Sequence, residues 1–190
     1  MNAKSEPITQ GTGITGDRYP LHHRNEVDVD ADARIFFAHL DDPLRLAGHM
    51  EKQSLMMAGA TMRLETDAQQ GQAVGSVIRV AGCVLGMNLA VEEVVSERVP
   101  PLHKCWETRG EPHLLVIGSY RMGFTISPQA DRSHLVVFID YQLPPRGFTH
   151  LLGLLFGRAY ATWCTRRMTT DAVAAVAGEA VSRNAHGKPR

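Results

Sequence analysis

The spacing of hydrophobic residues changes once along this chain. Between residues 60 and 143 they alternate with polar residues, the period of two that is typical of strands with one buried face. From 148 to 181 they recur at spacings of three, four and seven without a proline, which predicts one long amphipathic helix. A long helix after antiparallel strands needs a curved sheet to pack on, and we expect that sheet to enclose a cavity.

Glycines and prolines divide the alternating region into separate strands. After the first strand, Asp30 or Asp32 is expected to cap a short helix, and Asp42 to cap a second one that begins at Pro43. The predicted fold is α+β, with a curved antiparallel sheet of six or seven strands around the C-terminal helix. The predicted strands cover residues 18–30, 60–67, 74–84, 86–97, 102–109, 113–127 and 133–143.

Length and composition predict one domain with polar ends. A chain of 190 residues is expected to form a single core. Residues 1–17 and 182–190 are poor in apolar side chains, so we expect a flexible arm, a domain over 18–181 and a flexible tail. The opening segment MNAKSEPITQGTG lacks the apolar core of a secretory signal.

Charge and cysteine content exclude several classes of protein. Twenty basic and twenty acidic residues give a net charge of zero, without the basic excess that nucleic-acid binding favours. Near-neutrality leaves a homodimer open. The three cysteines lack metal-ligand spacing, and no run of about 18 apolar residues occurs. We expect a cytoplasmic protein with reduced thiols, for which peripheral membrane contact stays open.

Two strands show clearly which face they bury. In both 113–127 and 133–143, apolar side chains occupy every second position, and we expect those faces to turn toward the helix and line the cavity. Tyr120 and Tyr141 are the polar members of these faces. A buried phenol needs a hydrogen-bond partner, which either a ligand or the backbone supplies. The predicted ligand-binding side chains of these strands are Tyr120, Met122, Phe124, Val137, Ile139 and Tyr141.

The remaining predicted ligand-binding residues lie on the helix and on one further strand. Leu155, Trp163 and Arg166 fall on the apolar stripe of the helix, and Trp106 is expected in the cavity wall. Steps of about 100° per residue bring Arg166 back to the direction of Phe148, in the middle of that stripe. A charge there must be paired or face a wet cavity, unless the helix overhangs the sheet and the side chain reaches water along its stem.

The chain lacks motifs for metals, phosphates and activated nucleophiles. Its nine histidines have no His-x-Glu or His-Glu-x-x-His spacing. No glycine-rich loop joins a strand to a helix, and no serine or cysteine has a glycine-elbow context. We therefore predict neither a metal nor a cofactor.

The order of elements resembles the helix-grip order of the START-like, or SRPBCC, superfamily, which includes polyketide cyclases and lipid-transfer domains. The segment VDVDADARIFFAHLDDPLRLAGHM resembles the opening of that superfamily, and VEEVVSERVPPLHKCWETRG resembles its midsection. The resemblance spans about residues 18–181. It implies a cavity for an apolar or amphipathic small molecule, and it implies no catalytic residue because the superfamily shares none.

Three functions fit these observations. The first is binding or transport of a hydrophobic molecule such as a lipid, a polyketide-like compound or an aromatic compound. The second is a cyclase or dehydratase in which Tyr120, Tyr141 and Arg166 position a substrate and stabilise an enolate. The third is a membrane-associated adaptor, in which the LLGLLF run of residues 151–156 forms an exposed lip instead of packing in the core.

The number of acidic and basic side chains that face the cavity distinguishes the binding function from the enzymatic one. An enzyme needs a titratable group in the cavity, whereas a carrier needs only apolar walls and one or two anchors. Beyond Arg166, the sequence offers His23, His49 and Glu107 as candidates. This scarcity favours binding.

Overall fold

The computed structural model of the chain describes residues 18–46, 61–84, 86–130 and 132–186. Within these ranges, strands and helices follow one another in the predicted order. They are β1 (Leu21–Val29), α1 (Ala33–Leu40), α2 (Pro43–Leu46), β2 (Thr61–Thr66), β3 (Val77–Val84), β4 (Met87–Val99), β5 (His103–His113), β6 (Tyr120–Gln129), β7 (Arg132–Tyr141) and α3 (Phe148–His186).

The strands form one antiparallel sheet in the order β1-β7-β6-β5-β4-β3-β2. Two register shifts interrupt β4, one between Ala90 and Glu92 and the other between Val95 and Glu97. Such bulges bend a strand and increase its twist. The sheet curves around α3, which packs on β1, β7 and α1. The predicted α+β helix-grip architecture is therefore confirmed.

The two short helices begin as their sequences predict. The Asp32 carboxylate accepts a hydrogen bond from the Arg34 N–H at 2.8 Å at the start of α1. The Asp42 carboxylate accepts one from the Leu44 N–H at 2.9 Å at the start of α2. Each cap satisfies a backbone donor that has no partner inside its helix.

The largest difference in strand boundaries lies between β5 and β6. The strand predicted from 113 begins at Tyr120, and residues 114–119 form a connection that approaches the end of β7. The Gly118 N–H donates to the Gln142 carbonyl at 2.7 Å. A Cβ atom at Gly118 would lie 2.9 Å from the Leu143 carbonyl oxygen, so only glycine permits this approach.

The face that α3 turns to the sheet differs from the predicted one. Leu155 is 64% exposed and Arg166 is also exposed, so the predicted apolar stripe faces away from the sheet. Small and hydroxyl-bearing residues form much of the packed face. A Cβ atom at Gly157 would lie 2.9 Å from the Val116 carbonyl oxygen, which shows how closely the helix approaches. Buried members of this face are Gly153, Gly157, Ala161, Thr165, Met168 and Ala172.

The predicted flexible ends lie mostly outside the described residues. Residues 1–17 are among those outside. At the other end, α3 continues to His186, beyond the predicted end at residue 181. No helix within the described ranges is both long and apolar enough to cross a bilayer.

Candidate ligand-binding cavity

A cavity of about 110 Å³ lies between the sheet and α3. Its wall is mostly apolar, and strands β2 to β7 all contribute to it. Its lining residues stand at alternate positions along the strands, such as Ile78 and Val80 on β3, as expected where one face of a pleated sheet is buried. Apolar members of the wall include Leu64, Val80, Val91, Ile117, Met122 and Ile139.

Glu93 places a carboxyl group in this apolar wall. The residue is 8% exposed and shares its face of β4 with Val91 and Val95. The Tyr120 hydroxyl, on β6, donates a short hydrogen bond to Glu93 Oε1. Trp106, on β5, lines the cavity beside the carboxyl group and acts to lower its pKa. Side chains of three strands thus surround one acidic group, and we refer to its hydrogen bond with Tyr120 as the Glu93–Tyr120 pair.

Burial sets the protonation of both members of the Glu93–Tyr120 pair. It raises the pKa of Glu93 to about 7, although hydrogen bonds from Tyr120 and Trp106 and the charge of Lys104 act in the opposite direction. Burial and the nearby Glu93 charge raise the pKa of Tyr120 well above its ordinary value. Near neutral pH, therefore, Glu93 is present in both its protonated and its ionised form, while Tyr120 stays protonated and remains a hydrogen-bond donor.

Two neutral groups on α3, Tyr160 and Cys164, line the same cavity. Burial raises the pKa of the Cys164 thiol to about 12, and it also raises the pKa of the Tyr160 phenol. Among the described residues, the Tyr160 hydroxyl makes no hydrogen bond. It remains available to a polar group of a ligand.

Lys104 lies at the edge of the cavity, but its ammonium group is already paired. Its Nζ lies 2.9 Å from Asp41 Oδ1 and donates to the Asp41 carbonyl oxygen at 2.6 Å. Arg98 Nη2 donates to Asp41 Oδ2 at 2.7 Å. Burial alone would raise the pKa of Asp41, but the hydrogen bonds from Arg98 and Lys104 lower it. This cluster ties the end of α1 to β4 and β5, and it gives the buried Lys104 ammonium group a carboxylate partner.

The structure separates the predicted ligand-binding residues into three groups. Four line the cavity, namely Trp106, Tyr120, Met122 and Ile139. Three are buried in the core beside it, namely Phe124, Val137 and Tyr141. Three lie on the outer face of α3, namely Leu155, Trp163 and Arg166. The inward orientation predicted for the last group is wrong, because α3 packs through its opposite, small-residue face.

The other candidate acids and bases also lie away from the cavity wall. Glu107 accepts a hydrogen bond from the Tyr19 hydroxyl at 3.4 Å on the other face of β5. Half-buried His23 lies on β1 near Arg166 of α3, and burial followed by the Arg166 charge lowers its pKa. His49 lies outside the described residues.

Neither Glu93 nor Lys104 was predicted to reach the cavity. The sequence gives no clear signal for Glu93, because it stands between Val91 and Val95 while the neighbouring Glu92 shares its face with Val94. For metals, the described part of the chain brings no three His, Cys, Asp or Glu side chains close enough together to hold an ion.

Solved structures of other proteins share this architecture. The chain is similar to norcoclaurine synthase from Thalictrum flavum, with a TM-score of 0.58 and 16% identity over 94% of this chain and 99% of that one. It is similar to the Zhui aromatase/cyclase from Streptomyces sp. R1128, with a TM-score of 0.57 and 19% identity over 89% of this chain and 99% of that one. It is also similar to Ara h 8.0201, with a TM-score of 0.53 and 10% identity over 83% of this chain and 98% of that one.

These likenesses, all below 20% identity, concern the fold. Known sequence families and curated proteins were also searched, and neither search returned a match. The chain shares the helix-grip fold of these structures, as the order of its elements predicts.

Proposed function

We propose that this chain binds a hydrophobic small molecule in the cavity and that the Glu93–Tyr120 pair anchors a polar group of that molecule. The observation that carries the proposal is a buried carboxyl group in the wall of a mostly apolar cavity. Apolar walls with a few placed polar groups are the usual form of a small-molecule site. Because Glu93 exchanges its proton near neutral pH, it offers either a donor or an acceptor.

The charges around the cavity favour a neutral ligand over an anion. Ionised Glu93 repels a carboxylate, and the nearby Lys104 cation is already paired with Asp41. The volume of about 110 Å³ suits a compact ring compound better than a long acyl chain. A phenol or a small cyclic ketone meets both conditions, with its oxygen at the Glu93–Tyr120 pair.

Calorimetric titration with 2-naphthol and 2-naphthoate tests the anchor. We expect the neutral phenol to bind at least about tenfold more tightly than the anion, since a hydrogen bond to a charged group contributes about 1.5–3 kcal/mol. Glu93→Gln should weaken 2-naphthol binding by about tenfold. It should also reduce the difference in affinity between 2-naphthol and 2-naphthoate. The matched control is Glu92→Gln, because Glu92 pairs with Arg79 outside the cavity. Equal affinity for both ligands, or equal losses in the two variants, would refute the anchor.

Filling the cavity should abolish binding without unfolding the protein. Met122 lines the cavity, and Met122→Trp is expected to weaken 2-naphthol binding by at least about tenfold. Met87 is 37% exposed at the start of β4, away from the cavity, so Met87→Trp is the control. Circular dichroism verifies that both variants fold. Identical binding by the two variants would place the ligand elsewhere.

The second candidate function is an enzyme of the cyclase or dehydratase kind. The observation that favours it is the pKa of Glu93, about 7, beside a tyrosine that stays protonated. A carboxylate with such a pKa can remove a proton from the carbon next to a ketone and then return it to a β-hydroxyl that leaves as water. The proton taken from carbon returns to the departing hydroxyl group, so the net reaction is the loss of one water molecule from the hydroxyketone.

Dehydration of 3-hydroxy-1-tetralone to 1-naphthol and water tests this candidate, because the fluorescence of 1-naphthol reports the rate. We expect Glu93→Gln to lower the rate by about a hundredfold and Glu92→Gln to leave it unchanged. The wild-type rate should rise as the pH passes through about 7, where Glu93 loses its proton. A wild-type rate equal to that of buffer would eliminate the enzyme and leave the binding proposal standing.

A further inference from the structure

The first turns of α3 present an exposed hydrophobic surface. Their large apolar side chains are between 53% and 68% exposed, so the core-packing interpretation of the LLGLLF run is wrong for most of it. Contiguous exposed apolar side chains commonly mark an interaction surface. We call this surface the α3 tip, and it consists of Phe148, Leu151, Leu154, Leu155 and Phe156.

A basic stretch surrounds the α3 tip. Residues 141–170 contain four arginines and no acidic residue, although the chain as a whole is neutral, and of the four only Arg167 forms an ion pair within the described residues, with Asp171. Arg158 and Arg166 are exposed on the outer face of α3, beside Leu155. Both arginines lie close enough to His23 on β1 to lower the pKa of its imidazole in addition to the effect of burial. The partner of this surface should therefore combine an apolar phase with negative charge.

We infer that the α3 tip docks on an anionic lipid surface. In such a surface the hydrocarbon boundary accepts the apolar side chains while the phosphates pair with Arg158. The position of Arg158 along the helix agrees with this arrangement. At about 1.5 Å per residue, Arg158 lies within about 15 Å of every tip residue along the helix axis. Interfacial helices bury their apolar side chains by about 5–10 Å, which leaves the flexible arginine side chain at headgroup depth.

The charge pattern argues against a second copy of the chain as the occupant. A two-fold contact joins the same patch of both subunits. Centred on the α3 tip, it would bring together two copies of a stretch in which Arg146, Arg158 and Arg166 form no ion pair within the described residues. Like charges facing each other oppose association. The docking surface is also independent of the cavity, since α3 lines the cavity through Tyr160, Cys164 and Met168.

Flotation of the full chain with lipid vesicles tests the inference. We expect binding to phosphatidylcholine vesicles that contain about one third phosphatidylglycerol, and weaker binding to pure phosphatidylcholine or at high salt. Replacing both Leu151 and Leu155 with Gln should weaken binding by at least about tenfold. Arg158→Gln should weaken it by about fivefold, because each arginine near such a surface adds about 1 kcal/mol.

Leu44→Gln is the matched control for the two leucine changes. Leu44 is 59% exposed at the other end of the sheet, where its neighbour Pro43 meets the β2–β3 connection at Gly71. Its vesicle binding should equal that of the wild type. The inference is overturned if the wild type does not float with anionic vesicles, or if Leu44→Gln loses as much binding as the double variant. It is also overturned if light scattering shows a dimer that the double variant converts to monomer.

Discussion

Replacing Asp41 with Asn is expected to lower the free energy of unfolding by about 3–5 kcal/mol. The change removes the carboxylate charge that lies 2.9 Å from Lys104 Nζ, and Lys104 is 2% exposed. A buried ammonium group without its counter-ion is costly. Urea denaturation at pH 7 measures the loss. Because the pKa of Asp41 is lowered in the folded state, this stabilisation is present above its ordinary pKa of 3.8 and is lost as the pH falls below it.

A surface ion pair provides the control for Asp41. Arg79 lies 2.9 Å from Glu92 on the exposed side of the sheet, and Glu92→Gln should change stability by less than about 1 kcal/mol. Adding Lys104→Met to Asp41→Asn should restore part of the loss, since the unpaired charge is then gone. If Asp41→Asn costs no more than Glu92→Gln, the buried cluster does not stabilise the fold.

The second large effect concerns the dependence of stability on pH. The pKa of Glu93 is raised from 4.5 to about 7 in the folded protein, so between these values the folded state binds more protons than the unfolded chain. Stability from this group therefore falls as the pH rises through that window. The shift corresponds to a loss of about 3 kcal/mol by pH 8. Glu93→Gln keeps an acceptor for Tyr120 and should be more stable than the wild type at pH 8.

Denaturant midpoints at several pH values for the wild type and two variants check this effect. The difference between wild type and Glu93→Gln isolates the contribution of Glu93 from that of other titrating groups. Glu92→Gln should follow the wild-type curve at every pH. A constant difference between wild type and Glu93→Gln from pH 4.5 to 8 would show that burial does not raise the pKa of Glu93.

The strands that could be assigned correctly from the sequence have two chemically different faces. On β6 and β7, Arg121 and Asp140 mark the outer face, so the alternation leaves one orientation for Tyr120, Met122 and Ile139. All three line the cavity. A strong contrast between faces is therefore sufficient to predict which side chains reach the core.

β4 offers no such contrast. Val91 and Val95 flank Glu93 on one face, while Val94 stands beside Glu92 on the other, so alternation alone does not decide which glutamate is buried. The bulges add to the difficulty, because each one inserts a residue and moves the following side chains to the opposite face. The cavity acid could not be predicted for this reason.

The face of α3 was predicted wrongly because large apolar residues were given the most weight. Close packing on the sheet requires small residues such as Gly153 and Gly157, and a Cβ atom at Gly153 would already lie 3.0 Å from the Val116 carbonyl oxygen. The large residues at the start of the helix, including Leu155, lie on the surface instead. A stripe of glycine, alanine and threonine is the signal that would have identified the packed face.

The ¹³C methyl spectrum of methionine tests most directly whether a ligand occupies this cavity. Met62, Met122 and Met168 line the cavity, whereas Met87 lies at the exposed start of β4. Single Met→Leu variants assign the four signals. During titration with 2-naphthol, the signals of Met62, Met122 and Met168 should shift because a bound aromatic ring lies against them, while the Met87 signal should not move. Saturable binding that moves the Met87 signal alone, or none of the three cavity signals, would contradict a ligand site between the sheet and α3.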